Sequence, residues 1–341
     1  MSKIHFLNVL DGDCSIIQHD SGRVTVIDVS NAYNEKDTDE EKANKELKDK
    51  IIKHNNFVPD GKINYHQKEY PDNPIEYLRK LKIESIFRFI ITHPDMDHLD
   101  GLNDLYSEFN ITNTWDSENN KELDLDNFPK KYNPEDWKFY LQLRNNKYAN
   151  TKRLAYTAGS VNSYYKEDNI KILCPTPELV KQANKEGGDI HDLSYVLLFT
   201  APKKGGGEWK IVFSGDSHNN SWEYILKNYE AEVKNIDVLF APHHGRDSNR
   251  SYDFLKTLTP TVTLLGNASS VHLAYSSYPK TRITNNQAGY VIIDISEDRI
   301  LFLVKNKTFA DNYRNKEKRK WGEAPYSKQH DAYGLFQINA Q

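Results

Sequence analysis

Only two cysteines occur in the 341 residues, Cys14 and Cys174, each inside an apolar run. That usage fits a reducing compartment, provides no thiolate metal cage, and makes a disulfide possible but unneeded. Long apolar runs are also missing: none approaches the roughly 18–20 residues that span a bilayer. The first residues, Met1 to Phe6, lack a signal-peptide pattern. The chain therefore reads as soluble and cytoplasmic, with no membrane partner. Charge of one sign is lacking as well, because 45 Lys and Arg face 49 Asp and Glu for a net charge of −4. A general bias toward nucleic acid or anionic membrane is thereby excluded, and any basic surface must be local. Repeats and low-complexity linkers are absent. The length allows one large domain or two ordinary ones, with a core that needs no covalent staples.

What is present is concentrated in Thr92-His93-Pro94-Asp95-Met96-Asp97-His98-Leu99-Asp100-Gly101. Two imidazoles and two carboxylates fall within six positions there. The apolar run Ile86 to Ile91 before them reads as a buried strand, and Leu99 to Phe109 after them as a short helix. Imidazole and carboxylate donors together suit Zn²⁺, Mn²⁺ or Fe. Two further clusters end apolar runs in the same way. Ser214-Gly215-Asp216 presents one carboxylate, and Pro242-His243-His244-Gly245 presents two imidazoles. Several strands each delivering a ligand to one sheet edge would produce this repetition.

Along the chain, strands are expected at 4–9, 14–18, 24–28 and 86–91, then at 170–173, 195–200, 210–213, 238–240, 262–265, 290–295 and 300–304. Helices are expected at 40–53, up to about Lys80, and at 177–185, 221–229 and 252–258. Segments 31–83 and 110–168 read as insertions, the second as a partly helical flap outside the core. Residues 305–341 read as a C-terminal tail after a single domain spanning 1–304. Two sheets flanked by helices would absorb this pattern.

The motifs together resemble the metallo-β-lactamase superfamily, and more narrowly the soluble C-terminal hydrolase domain of ComEC-type competence proteins. The family motif His-x-His-x-Asp-His stands here as His93-x-Asp95-x-Asp97-His98. The opening Phe6 to Ile17, the strand Val26-Ile27-Asp28, Leu193 to Leu198, Ser214-Gly215-Asp216 and Pro242 to Gly245 match its other blocks in order. The resemblance implies an α/β (α+β) fold, a four-layered αβ/βα sandwich with two divalent metal ions at one edge. It implies that His93 and Asp95 hold one ion, Asp97 and His98 the other, and that Asp216 bridges them. One of His243 and His244 would complete the second site, with His244 the favoured ligand and His243 facing substrate. His191 or Asp192 is the implied third ligand of the first site. Asp95 in place of a histidine makes that site harder, so Zn²⁺ and Mn²⁺ are comparable occupants. Asp13 and Asp28 are placed to accept the outer N–H of a ligand imidazole, although both also suit turns.

The implied reaction is metal-dependent hydrolysis of an ester bond, most of all a phosphodiesterase or nuclease acting on DNA. Alternatives are hydrolysis of a small phosphoester, cyclic nucleotide, thioester or lactone, or a metal-containing interaction subunit that docks a partner, defence systems included. Asp97, His243 and Arg246 are the expected catalytic groups, with His218, Asn249 and His272 contacting substrate. The flap residues Trp137, Tyr140, Arg144, Lys147, Tyr148, Lys152, Arg153 and Tyr156 offer rings and cations for a nucleic acid strand, or else form solvated helix faces.

Overall fold

The computed structural model describes residues 1–34, 65–267, 273–316 and 321–340. The chain enters through β1 (Ser2–Phe6), β2 (Ser15–Gln18), β3 (Val24–Ile27), β4 (Ser85–Ile91), β5 (Asn110–Asp116) and β6 (Lys152–Leu154). It crosses to β7 (Ile170–Cys174), β8 (Val196–Pro202), β9 (Glu208–Phe213), β10 (Val238–Phe240), β11 (Val262–Leu265) and β12 (Arg282–Thr284). It then returns through β13 (Val291–Ile295), β14 (Arg299–Val304), β15 (Tyr326–Ser327) and β16 (Ala332–Asn339). Among the described residues these pair into a larger sheet ordered β15-β16-β14-β13-β1-β2-β3-β4-β5-β6 and a smaller one ordered β12-β11-β10-β9-β8-β7. Each sheet is antiparallel at one end and parallel at the other: β3 to β6 run parallel, and so do β9 to β12.

Alternation along the strands assigns side chains to layers. On β2, Ile17 enters the core between the sheets, while its neighbour Ile16 faces the outer helices. Between the sheets lie Phe6, Trp115, Tyr195, Trp209, Phe213, Phe240 and Phe302. Outside the larger sheet, a second core packs it against the helices Pro74–Lys80, Leu102–Glu108 and Pro134–Arg144. A third core packs the smaller sheet against Pro177–Ala183, Asn219–Val233 and Phe254–Leu258. Three cores between four layers make the αβ/βα sandwich that the sequence implied. Three of the helices begin alike, with Asn73, Asn133 or Thr176 accepting a first-turn N–H and proline following at once. Proline there forfeits no hydrogen bond and its φ is already helical.

Two expectations change. Residues 110–168 are not a flap outside the core: β5 and β6 extend the larger sheet, and Trp137 and Tyr140 are fully buried. Their many Asn and Lys fall on turns and outer faces, which lowered the apparent hydrophobicity of the segment. The 305–341 segment is likewise not a loose tail. Helix Lys307–Asn315 packs its Phe309 and Ala310 into the inter-sheet core, and β16 pairs along β14. The expected helix at 40–53 lies outside the described residues. Cys14 and Cys174 are both buried and free. Among the described residues, no helix is long and apolar enough to cross a membrane.

Candidate metal centre

Sheet topology explains why distant residues meet. The carboxyl ends of β3, β4, β9 and β10 open on one edge, where crevices of parallel sheets form. They deliver Asp28, His93 to His98, Asp216 and the His243-His244 pair. Loops entering the antiparallel strands β2 and β8 arrive at the same edge and bring Asp13 and His191. Two glycines let the loops close in. A Cβ on Gly12 (φ +79°) would sit 1.7 Å from the Asp97 carbonyl oxygen, and one on Gly215 (φ +47°) 2.8 Å from Thr92 Cβ. His243 and His244 both hold left-handed backbone angles, with φ 55° and 56°. For residues other than glycine such conformations cost about 1–3 kcal/mol each and cluster at functional sites.

The side chains converge in two groups. In the first, Nε2 of His93 and Nε2 of His191 each lie 3.6 Å from Oδ2 of Asp95. In the second, Nε2 of His244 lies 3.5 Å from Oδ2 of Asp97, with His98 beside them. Asp216 stands between the groups. Its Oδ1 is 3.3 Å from His98 Nε2, and its Oδ2 is 3.7 Å from both His93 Nε2 and His244 Nε2. His243 Nε2 reaches the same Oδ2 at 3.5 Å. None of these contacts has hydrogen-bonding geometry, yet His93, His98, Asp216 and His244 are all buried. Nε2 of the three imidazoles and Oδ1 of Asp216 have no hydrogen-bond partner among the described residues. Each such orphan costs about 1–3 kcal/mol when left alone. Four of them facing one another fit a pair of divalent cations, each with two imidazoles, one carboxylate and a share of Asp216.

Outer contacts aim the imidazoles. Nδ1 of His98 donates to Asp28 at 2.8 Å, and Asp28 also accepts from the Thr92 backbone and hydroxyl. Nδ1 of His191 donates to Asp189 at 3.0 Å, Nδ1 of His244 faces Asp13 at 3.1 Å, and Nδ1 of His93 lies 3.2 Å from the Thr92 hydroxyl. An acceptor behind Nδ1 leaves the lone pair on Nε2, the atom aimed inward. Lys121, from the loop after β5, forms an ion pair with Oδ1 of Asp95.

The protons of the cation-free cluster follow from these contacts. Burial opposes charge on His98, but Asp216 and Asp28 outweigh it and hold the imidazole well above its usual range. Burial is likewise overcome at His244 by Asp13 and Asp216. At His191, Asp189 and Asp95 overcome burial and raise the imidazole to about 10. Burial would raise Asp216, yet His244, His98 and His93 keep its carboxyl far below the ordinary range. Asp95 and Asp97 are depressed in the same way, against burial, by the imidazoles around them. His243 behaves oppositely: burial lowers it to about 3.

The structure thus brings together His93, Asp95, Asp97, His98, His191, Asp216, His243 and His244, with Asp13 and Asp28 behind them. Other expected residues fall elsewhere. Asp192 is turned away, accepting from Asn220 and Ser221. His218 is taken up by Asp189 at 3.0 Å and the Ser248 carbonyl at 3.2 Å. Asn249 is an exposed turn residue whose backbone N–H donates to Asp247. The Arg246 side chain makes no hydrogen bond or ion pair among the described residues, and His272 lies outside them. Instead Arg250, four residues on, is the buried guanidinium at the cluster. The flap arginines are occupied: Arg144 pairs with Glu122 and Arg153 with Asp116. Lys121 and Asp189 lie outside every recognisable motif, whereas Arg250 follows the double histidine just as Arg246 does and was an equal candidate for contacting substrate.

No protein-family model matches the sequence, and no curated protein matches it. Solved structures do align with the chain. A diphosphatase from the PhnP family aligns with a TM-score of 0.40 at 11% identity, covering 83% of this chain and 94% of that one. Igni18, a metallo hydrolase from Ignicoccus hospitalis, aligns at 0.39 and 13%, covering 84% and 88%. The Rm3 metallo-β-lactamase aligns at 0.34 and 15%, covering 70% and 74%. At such identities no residue role passes from these proteins to this chain.

Proposed function

We propose that this chain is a metal-dependent hydrolase of phosphodiesters. The observation that carries the reading is Asp216, buried among the inward-facing orphan Nε2 atoms of His93, His98 and His244. Divalent ions bound there would supply an acidified water and neutralise charge on the oxygens of the group being transferred. His93, Asp95, His191 and Asp216 would hold one ion, and Asp97, His98, His244 and Asp216 the other. Asp28 and Asp189 fix the tautomers of His98 and His191 by hydrogen bonds, and Asp13 lies beside Nδ1 of His244. Lys121, which pairs with Asp95 beside the first group, favours an anionic substrate over a neutral ester.

The resemblance to ComEC-type domains favours DNA as that substrate. A small phosphodiester, such as a cyclic nucleotide, is the second reading, supported by the pairing of the flap arginines within the fold. Zinc- or manganese-loaded protein should be offered single- and double-stranded DNA, RNA, bis-p-nitrophenyl phosphate and nitrocefin. Turnover of the phosphodiesters, lost in Asp97→Ala with the fold retained, is expected. Cleavage of the small ester alone would reject the nuclease reading. Turnover of nitrocefin alone would reject phosphodiesters altogether. Partner binding that survives Asp97→Ala in a protein with no turnover would favour an interaction subunit.

A further inference from the structure

Among the described residues five imidazoles point toward the cluster, but two four-ligand sites use only four of them. The fifth, His243, differs in what stands behind it. His98, His191 and His244 have carboxylates at Nδ1. His93 has the Thr92 hydroxyl, whose own proton is committed to Asp28 at 2.6 Å. Behind Nδ1 of His243 stands Nη2 of Arg250, at 3.3 Å. A guanidinium has donors only, so this nitrogen of His243 must be the acceptor and carry no proton. The neutral ring then bears its hydrogen on Nε2, the atom that faces Asp216. A protonated Nε2 has no lone pair to give a cation.

Arg250 is itself fixed. It is buried, with Nη1 donating to the Ser217 carbonyl at 2.8 Å and Nε to the Ser248 hydroxyl at 3.0 Å. The left-handed backbone at His243 holds its ring against this guanidinium while the adjacent His244 turns to Asp13. We infer that His243 is a hydrogen-bond donor to the substrate and not a metal ligand, and that Arg250 is the positioning residue that imposes its tautomer. If the function proposed above holds, the acceptor is a nonbridging oxygen of the phosphoryl group. No proton is transferred; the N–H bond stays intact and its dipole meets growing negative charge.

Zinc content separates ligand from donor without reference to activity. His243→Gln and His243→Leu should keep the wild-type zinc stoichiometry, whereas His244→Gln should lose about one ion. Loss of an ion in either His243 variant would overturn the inference. Nitrogen-15 spectra of histidine-labelled, zinc-loaded protein should show His243 protonated at Nε2 alone, with that preference lost in Arg250→Met and retained in Arg250→Lys. Should both Arg250 variants fail to fold, the wild-type spectrum still decides, because a proton on Nδ1 refutes the assignment. Glutamine can accept from Arg250 and donate inward. His243→Gln should therefore keep most of kcat on bis-p-nitrophenyl phosphate, while His243→Leu loses about 10²–10³-fold, the usual effect of removing one such donor. Equal losses in the two variants would overturn the donor role. If wild-type protein turns over no phosphodiester yet shows the expected tautomer and zinc count, the phosphoryl acceptor falls and the tautomer assignment stands.

Discussion

Loading the centre with metal should expel protons, and the number is legible from the contacts. In the cation-free protein, His98, His191 and His244 are all protonated at pH 7, since His191 is raised to about 10 and the other two stand well above their usual range. A ligand imidazole must be neutral, so filling both groups releases about three protons at pH 7. The carboxylates contribute none, because Asp95, Asp97 and Asp216 are already ionised. The overall two-ion binding constant should then rise by up to about 10³ per pH unit near neutrality, one decade for each proton displaced. The slope should flatten as pH approaches 10, where His191 is already neutral in the free protein. Calorimetric titration of metal-free protein with Zn²⁺ at pH 7, in two buffers of different ionisation enthalpy, measures the count directly. A release of less than one proton would refute the reasoning, since the ions would then be held by groups that were not protonated.

The metal-free protein should itself lose stability as pH climbs from 6.5 toward 10. The raised imidazoles contribute stability that is full below their unfolded value and vanishes through the folded one. The depressed carboxylates contribute in the opposite sense, their stability being present above about pH 4 and lost below it, and His243, lowered to about 3, loses its contribution as pH falls below 6.5. A urea midpoint that rises between pH 7 and 9 would contradict this. Asp28→Asn replaces the carboxylate behind His98 with a neutral amide and should weaken one ion by about 10–100-fold, read as biphasic zinc titration with the other phase unchanged. Asp168→Asn leaves the buried Arg88, 2.9 Å away, facing a neutral partner. It should cost about 3–5 kcal/mol in urea unfolding, the usual penalty for breaking a buried pair. Gly12→Val should abolish binding at the second group before it unfolds the protein, because its side chain would have to displace the Asp97 carbonyl; unchanged zinc content would show the approach to be slack.

Much of the fold was legible because buried strands are short, apolar and bounded by turns. β10 and β11 lie where the sequence placed them, and β2, β4, β8 and β9 differ only by residues at their ends. What escaped had the opposite character. β5 reads Asn-Ile-Thr-Asn-Thr-Trp-Asp, with polar residues at alternate positions and its apolar residues too few to announce a core strand. β16 presents Tyr, Gln and Asn on its more exposed positions and lies beyond the last recognisable motif, so tertiary pairing with β14 decides its state, not propensity. Asp100 offers a smaller case. A carboxylate just before a helix commonly caps it, but that of Asp100 accepts from the Asn31 backbone and the Tyr33 hydroxyl, and Gly101 occupies the cap.

The centre divides along the same physical line. Groups that meet the cluster through clustered motifs, such as His93 to His98, could be found in sequence because several ligand-type residues in a few positions are improbable in ordinary turns. Lone side chains outside any motif, such as Lys121 and Asp189, could not. Arg246 and Arg250 are equivalent as sequence, both basic and both just past the double histidine. Only the turn at Asp247 to Asn249, with the left-handed Asn249 at φ 58°, decides which one folds back. It carries Arg250 under the loop onto the Ser217 carbonyl and His243, and leaves Arg246 half-buried without a polar partner among the described residues. The fifth imidazole is thus distinguished from the other four by a loop conformation, and residue type alone could not have revealed it.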